Sequence, residues 1–385
     1  MYNTNIGAFC AAHEDYFERL TAEPYYLKIK EDGPYIIFNY NQICSDFSNS
    51  IVQEARGIIF RKGEWQHPVC WAFNKFFNSA ETHAVELDWS TAFVTEKIDG
   101  SLCKLWWDWS NGWHISTNGT IDAYKAELGD ARMANFGAYF EEALKKYFSS
   151  LADFTEELDV DLTYMFELVG PYNRVVIPYE APAICFLGAR NKYTGEEFNC
   201  SSLTANSLGV GRLELPKQYP LTSVNDCIKL AETFSWDQEG FVACDAHFNR
   251  VKIKSPAYIR AHFTRNNNII TRKHLISVIL ANEVEEFLCY ATDYKEELER
   301  VQNLMESFYK VGDQIAMSCQ RLSNIPKRTF AAWVQTLPKI YQDLAFKNYN
   351  NIMFTKDYTT GWNETKWDTC LENFKQLIEA LFKGI

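Results

Sequence analysis

Lys97-Ile98-Asp99-Gly100-Ser101 is the stretch on which the reading of the fold turns. Ahead of it, Thr91-Ala92-Phe93-Val94-Thr95-Glu96 alternates β-branched and aromatic residues with smaller ones, which predicts a strand. Behind it, Leu102-Cys103-Lys104-Leu105-Trp106-Trp107 predicts another. Asp-Gly between two strands predicts a tight hairpin turn, with the lysine at a strand end. A lysine at the mouth of a sheet, beside a glycine that admits phosphates, suits nucleophilic attack on phosphorus. Such an amine must first give up a proton, which burial and nearby cations promote. The pentapeptide alone fits an ordinary hairpin with a solvated lysine better, and the rest of the chain reverses that preference.

Upstream, Ala11 to Leu20 predicts a short helix. Tyr25 to Lys30 and Tyr35 to Tyr40 predict strands around the turn Glu31-Asp32-Gly33-Pro34. Glu54-Ala55-Arg56-Gly57-Ile58-Ile59-Phe60 predicts a strand with a cation near its start, and Phe73-Asn74-Lys75-Phe76-Phe77-Asn78 sets a lysine among aromatics. Downstream, Gly112 to Thr117 predicts a strand ending in Thr117-Asn118-Gly119-Thr120. Phe136 to Phe148 carries apolar residues at helical spacing. Leu162 to Val169 predicts a strand bearing Glu167, followed by Gly170-Pro171-Tyr172-Asn173-Arg174, and Val175 to Tyr179 and Ala183 to Arg190 continue the sheet. Glu239-Gly240-Phe241-Val242-Ala243-Cys244 predicts a strand opened by an acid. In Arg250 to Ser255, Val251 and Ile253 fall on one face and Lys252 and Lys254 on the other.

The pattern then changes. Ala281 to Cys319, Thr329 to Val334 and Thr369 to Lys383 carry apolar residues at helical spacing, and Asn282 with Glu285 resembles a capping box. The expected architecture is therefore α+β, with antiparallel sheets and flanking helices over residues 1–265, followed by an all-helical domain over 266–385. No internal repeat or low-complexity segment is present.

Composition narrows the function. A chain of 385 residues exceeds one ordinary core. With 50 acidic and 38 basic residues the formal net charge is -12, which argues against a broad phosphate-tracking surface. Nucleic acid, if bound, should meet a local basic patch and metal ions. Aromatics at 15% are high; much of this is core, but it leaves rings available for base stacking. Eleven cysteines without a CxxC give neither zinc spacing nor a disulfide framework, which fits reduced thiols inside a cell. With neither a signal pattern at Met1 to Cys10 nor a membrane-length apolar run, the expected location is the cytoplasm.

Activating a nucleotide needs a lysine nucleophile, cations for the departing pyrophosphate, cations on the α-phosphate, and carboxylates for a metal ion and the sugar hydroxyls. Strand ends supply them in order: Arg56 and Lys75, then Lys97, then Glu167 and Glu239, then Lys252 and Lys254. Taken singly, each has a bland reading as a surface cation, a snorkelling lysine or a buried acid.

Lys-x-Asp-Gly-Ser, then Phe-Glu-Leu-Val-Gly-Pro-Tyr-Asn-Arg, then Glu-Gly-Phe-Val, then Val-Lys-Ile-Lys-Ser resembles the covalent nucleotidyltransferases, the polynucleotide ligases and capping enzymes. Upstream, Ala55-Arg56-Gly57-Ile58-Ile59-Phe60 and Lys75-Phe76-Phe77-Asn78 are similar to the RNA ligases typified by the T4 phage enzyme that reseals broken tRNA. The likeness spans roughly residues 50–260.

That resemblance implies a ligase-type nucleotidyltransferase domain, ATP as cofactor, and Mg²⁺ or Mn²⁺. It makes Lys97 the lysine that carries AMP, with Lys252, Lys254 and Glu239 as catalytic partners and Glu239 as a metal ligand. The ATP site would comprise Arg56, Lys75, Phe77, Glu96, Lys97, Gly100, Glu167, Gly240, Val242, Lys252 and Lys254. Within it, Gly100 and Gly240 would leave room for the nucleotide and Glu167 would bind the ribose. RNA with 5′-phosphate and 3′-hydroxyl ends would be the substrate, with nicked tRNA a candidate, an end-healing kinase/phosphatase a partner, and no membrane involved. Arg260, Arg265, Arg272 and Lys273 would dock RNA, and the helical domain would confer RNA or tRNA specificity. One position departs from the family pattern: Asn118 stands where the family has a basic residue before a glycine. DNA ligases and GTP-using capping enzymes normally add a β-barrel after the last lysine strand, where this chain turns helical. An inactive RNA-binding relative would not need Lys97, Glu239, Lys252 and Lys254 intact.

Overall fold

A computed structural model describes residues 3–264, 270–322, 325–349 and 353–382. Fifteen strands are described. They run over Lys28–Asp32 (β1), Tyr35–Asn39 (β2), Arg56–Arg61 (β3), Phe77–Asn78 (β4), Phe93–Glu96 (β5), Ser101–Asp108 (β6), Gly112–Thr117 (β7), Glu127–Asp130 (β8), Met133–Asn135 (β9), Leu162–Val169 (β10), Ala183–Asn191 (β11), Glu197–Phe198 (β12), Gln218–Tyr219 (β13), Gly240–Cys244 (β14) and Arg250–Lys254 (β15). They form a three-stranded sheet β1-β2-β3, two five-stranded sheets, β12-β11-β10-β6-β7 and β13-β5-β14-β15-β4, and the hairpin β8-β9. Every pairing is antiparallel except β4 with β15. The chain divides into two compact units, Met1–Asn266 and Asn267–Ile385.

Lys97 to Ser101 does not form a hairpin turn. β5 and β6 belong to different sheets, and the segment is the crossover between them. The cause lies in Asp99 and Gly100. The Asp99 carboxylate is 4% exposed. It accepts hydrogen bonds from Val176 N at 2.9 Å, Ile177 N at 2.7 Å and the Tyr258 hydroxyl at 2.8 Å, so it is a buried tie and not a solvated turn residue. Gly100 lies against β10, where an added Cβ would sit 2.5 Å from Leu168 O.

Period-two alternation then builds two layers. Cys103, Leu105, Tyr164, Phe166 and Phe186 turn one face of their sheet onto Tyr139, Phe140 and Leu144 of the helix Phe136–Leu144 (α1). Opposite them, Leu102, Met165 and Leu187 pack with Phe73 and Phe76. In the second sheet, Val94, Phe241, Ala243, Val251 and Ile253 cover Cys227 and Ala231 of the helix Val224–Ala231 (α2). The alternate residues Thr95, Val242, Lys252 and Lys254 are thereby turned toward the first sheet's second face.

Two local expectations differ. Ala11 to Leu20 is split between helices Asn5–Ala12 and Tyr16–Thr21, because the Thr4 side chain caps Gly7 N and starts the first helix earlier. Residues 175–179 are loop, their first amides drawn onto Asp99.

The second unit is helical throughout its described residues. Its longest helix, Lys295–Arg321 (α3), buries Leu298, Val301, Met305 and Phe308 along one stripe. Phe308 stacks on Tyr341 with ring centres 4.9 Å apart and meets Trp367 and Phe374 edge-on. The capping box belongs to Thr271 and His274, and Asn282 instead takes a φ of 54° just before the N-cap Glu283 of Val284–Leu288. Among the described residues no helix is long and apolar enough to cross a membrane.

Replacing Asp99 by alanine leaves two amides and a buried hydroxyl without their acceptor, a loss on the order of 2–5 kcal/mol. Thermal unfolding of Asp99→Ala is expected to move down by about 5–15 °C. An unchanged midpoint would mean that the crossover does not depend on this carboxylate.

Candidate active site

Three strands bring the central cations into one row. Glu96 on β5 pairs with Phe241 on β14, so Lys97, one residue on, lies beside Gly240, and its amide donates to Gly240 O at 2.8 Å. Gly240 in turn stands opposite Lys254 on β15. Glu239, just ahead of β14, is 3% exposed. Its carboxylate accepts from the Lys97 ammonium, with both oxygens 3.0 Å from Nζ, and lies 3.5 Å from Lys254 Nζ. A buried carboxylate thus holds two lysines together. Charge-assisted contacts of this kind are short and strong, and removing the acid leaves two cations facing each other.

The lysines open into a cleft of about 220 Å³ between the two five-stranded sheets. Arg56, Glu96, Lys97, Glu167, Val242, Lys252 and Lys254 line it, so seven of the expected ATP-site residues converge there. Leu102, Leu187, Cys200 and Pro216 supply apolar wall. The Arg56 guanidinium stacks on Phe76, 4.9 Å from the ring centre, and donates to Asn74 O at 3.4 Å. Burial lowers its pKa from the ordinary arginine value. Burial is also the main force on Glu167, raising it from 4.5 to about 7; Lys97 and Arg56 oppose that rise, and Glu239 and Asp99 add to it. Glu96 is raised by burial too.

Other expected site residues fall elsewhere. Lys75 and Phe77 line an adjoining cavity of about 270 Å³ with His83, Arg190 and His247. The Lys75 ammonium sits 5.1–5.5 Å from the ring centres of Tyr40, Phe47 and Phe77. Gly100 and Gly240 make room for the protein's own strands and not for a ligand: a Cβ at Gly240 would meet Ile253 O at 2.1 Å, and Gly240 also holds a φ of 138°. Arg272 is drawn into ion pairs with Asp368 at 2.6 Å and Glu372 at 2.8 Å, which join its helix to the last one. Arg260 and Lys273 are exposed cations of the first and second unit respectively, and Arg265 lies outside the described residues.

Sequence reasoning missed Asp99 as a tie, and Phe73 and Arg250 as cleft wall. Arg250 lies 2.7 Å from Glu197 and stacks over Phe73 at 4.3 Å. Only its place at the head of the Lys252/Lys254 strand could have suggested this. A wider cleft of about 820 Å³ lies at the far ends of β3 and β6, where Arg61 is paired with Asp108 and Lys192 donates to Trp107 O. It lacks the lysine–carboxylate row.

Among the described residues no group of three His, Cys, Asp or Glu side chains is placed to hold a metal ion. The cleft's cations, with Glu96, Glu167, the underlying Glu239 and, on Arg250, Glu197 against them, fit a polyanion that brings its own oxygen ligands.

A cleft between two antiparallel sheets, with Lys97 and Lys254 held on the buried Glu239 and Lys252 on the same strand as Lys254, is a cationic site suited to a phosphorylated ligand. The sequence model of the T4 RNA ligase 1 type of RNA ligase matches residues 54–258, over half of the chain, and the chain belongs to that family. A protein of Autographa californica nuclear polyhedrosis virus, named "Putative bifunctional polynucleotide kinase/RNA ligase", is 29% identical over 79% of this chain, which spans only 44% of that relative's length. The RNA ligase of Rhodothermus phage RM378 is 26% identical over 75% of this chain and 76% of its own. Among solved structures, an archaeal ATP-dependent RNA ligase covers 75% of this chain and 74% of its own at 14% identity, with a TM-score of 0.46.

Glu167 makes stability depend on pH. Between 4.5 and about 7 the folded chain keeps a proton that the unfolded chain has released, so this group lowers stability as pH rises through that window and no further above it. Denaturant midpoints at about pH 5 and pH 8 should show a smaller decline in Glu167→Gln than in the wild type. Equal declines would contradict the assignment.

Proposed function

We propose that this chain is an ATP-dependent RNA ligase that joins a 5′-phosphate end to a 3′-hydroxyl end through a lysyl-AMP at Lys97. The observation that carries the reading is the Lys97 ammonium held 3.0 Å from the buried Glu239 carboxylate, with Lys254 on the same acid. In the first step Lys97 Nζ attacks the α-phosphorus of ATP. The ammonium first gives up one proton, with Glu239 its nearest acceptor; a phosphorus–nitrogen bond then forms, the bond to pyrophosphate breaks, and the second Nζ proton leaves with the pyrophosphate. Lys252 and Lys254 hold the α-phosphate, Arg56 meets the outer phosphates, and Glu167 accepts from the ribose hydroxyls. Glu96 and Val242 border the base. Lys75 and Phe77 act from the adjoining cavity, on the pyrophosphate end.

In the second step an oxygen of the RNA 5′-phosphate attacks the same phosphorus, the phosphorus–nitrogen bond breaks, and Nζ regains a proton. In the third, the RNA 3′-hydroxyl attacks the 5′-phosphate and AMP leaves. Each step is an in-line displacement, so positioning and charge neutralisation do the catalysis. Mg²⁺, with Mn²⁺ as the alternative, would be held by Glu239 and phosphate oxygens and would neutralise phosphate charge.

The helical unit we assign to RNA specificity, with nicked tRNA the candidate substrate and Arg260 and Lys273 as docking cations. The baculovirus relative's name pairs a kinase with a ligase, which supports an end-healing kinase/phosphatase as partner for this chain.

Incubation with labelled ATP and Mg²⁺, followed by denaturing electrophoresis, should label the wild-type chain and leave Lys97→Ala unlabelled. Label from GTP or NAD alone would overturn ATP dependence, and label retained in Lys97→Ala would overturn the nucleophile. Deleting the helical unit should spare adenylation and reduce tRNA sealing at least about tenfold. Equal loss of both would contradict a specificity role.

A further inference from the structure

Lys104 is a buried cation that the reaction above does not use. It lies mid-strand on β6 at 0% exposure. Its ammonium donates to Gly57 O at 2.5 Å. Among the described residues no carboxylate lies within ion-pair distance of it. Its charged neighbour is Arg56, of like sign, and the thiols of Cys70 and Cys103 stand nearby. An ammonium removed from water without an anion costs several kcal/mol, so it persists only where something offsets that cost.

Two further facts locate what it serves. Lys104 pairs with Ser116 across the β6–β7 ladder, and Asn118 follows at the end of β7. The Asn118 Oδ1 atom is buried without a hydrogen-bond partner. Gly57, which takes a φ of 73°, lies between the two: a Cβ there would meet Lys104 Nζ at 2.5 Å, Asn118 O at 2.5 Å and Asn118 Oδ1 at 3.1 Å. The ammonium and the unsatisfied amide oxygen therefore crowd one corner, directly behind Arg56 in the cleft wall. Lys104 projects from the same face of β6 as Leu102, which lines the cleft one rung nearer Lys97.

We propose that Lys104 and Asn118 act as one unit, in which Lys104 sets a positive charge behind the cleft wall and fixes the Arg56–Gly57 corner for the nucleotide's phosphates. Lys104 is a positioning residue: wholly buried, it touches no ligand and works through the Gly57 carbonyl and the potential it sets behind the cleft. In a low-dielectric interior that potential reaches across several ångströms. An entering polyphosphate offsets part of the cost of burying the ammonium. The proposal rests on the ligase reading for its effect on rate, and on geometry alone for the coupling of the two side chains.

The test is a double-mutant cycle in the full chain, with Lys104→Met, Asn118→Lys and their combination, plus Lys104→Gln, which can keep the hydrogen bond to Gly57 but not the charge. Two quantities are read: the rate of Lys97 adenylation by ATP, and the thermal midpoint without nucleotide. Lys104→Met and Lys104→Gln should each slow adenylation at least about tenfold. Asn118→Lys beside the native Lys104 should lower the midpoint, because two ammonium groups then share one corner. The double variant should recover that midpoint and adenylate within about threefold of wild type. A wild-type rate in Lys104→Gln overturns the proposal. So does an effect of Asn118→Lys that is the same with and without Lys104, or a double variant that folds no better than Lys104→Met. If the wild type takes no label from ATP, the ligase reading fails, and the midpoints alone decide whether the two positions are coupled.

Discussion

The Glu239 carboxylate is the contact on which the site depends. It is buried at the meeting point of three strands, and the peptide groups around it are fixed by the sheet: Lys97 N donates to Gly240 O, and Ser255 N donates to Glu239 O at 2.7 Å. Two lysine ammonium groups share one corner of the cleft because this acid lies between them. An anionic ligand that takes over the neutralisation of Lys254 would leave Lys97 as the group nearest both the acid and the incoming phosphorus. In the proposed reaction the same carboxylate holds Lys97 at rest and takes its proton before attack.

Asp99 extends this arrangement outward. Its three accepted hydrogen bonds tie the segment after Lys97 to the loop at 176–177 and to Tyr258 on the helix that follows β15. Lys97 therefore sits on a clamped crossover, between a sheet that carries Lys252 and Lys254 and a sheet that carries Glu167. Rigidity of this kind matters for in-line displacement, where misplacement by an ångström costs orders of magnitude in rate.

Much of this could be read from the sequence. The alternation of Val251 and Ile253 with Lys252 and Lys254 separated core from cleft, and the apolar run around Glu167 marked a buried strand whose acid faces the other way. Pairing partners could not be read. Asp-Gly between two strand-like runs is the usual mark of a hairpin, and only long-range contacts, Asp99 to residues 176–177 and Gly100 to β10, turn it into a crossover between sheets. For the same reason Gly240 looked like a gap for a ligand, when the space it leaves is filled by Ile253 O. Lys75 and Phe77 lie close in sequence to cleft residues, yet they alternate with the cleft-lining Phe76 and reach the next cavity together with Asn74, whose side chain accepts from Arg190. Lys104 drew no reading of its own from the sequence, because the pairing that sets it opposite Ser116, close to Asn118, is a long-range one.

Where Lys97 meets the nucleotide decides whether its amine is the nucleophile. A crystal structure of the full chain with a non-hydrolysable ATP analogue and Mg²⁺ measures this directly. The expected result is Lys97 Nζ about 3–3.5 Å from the α-phosphorus, opposite the leaving pyrophosphate, with Lys252 and Lys254 on the α-phosphate oxygens. An analogue bound elsewhere, or a Lys97 amine turned away from phosphorus while the nucleotide fills the cleft, would contradict it.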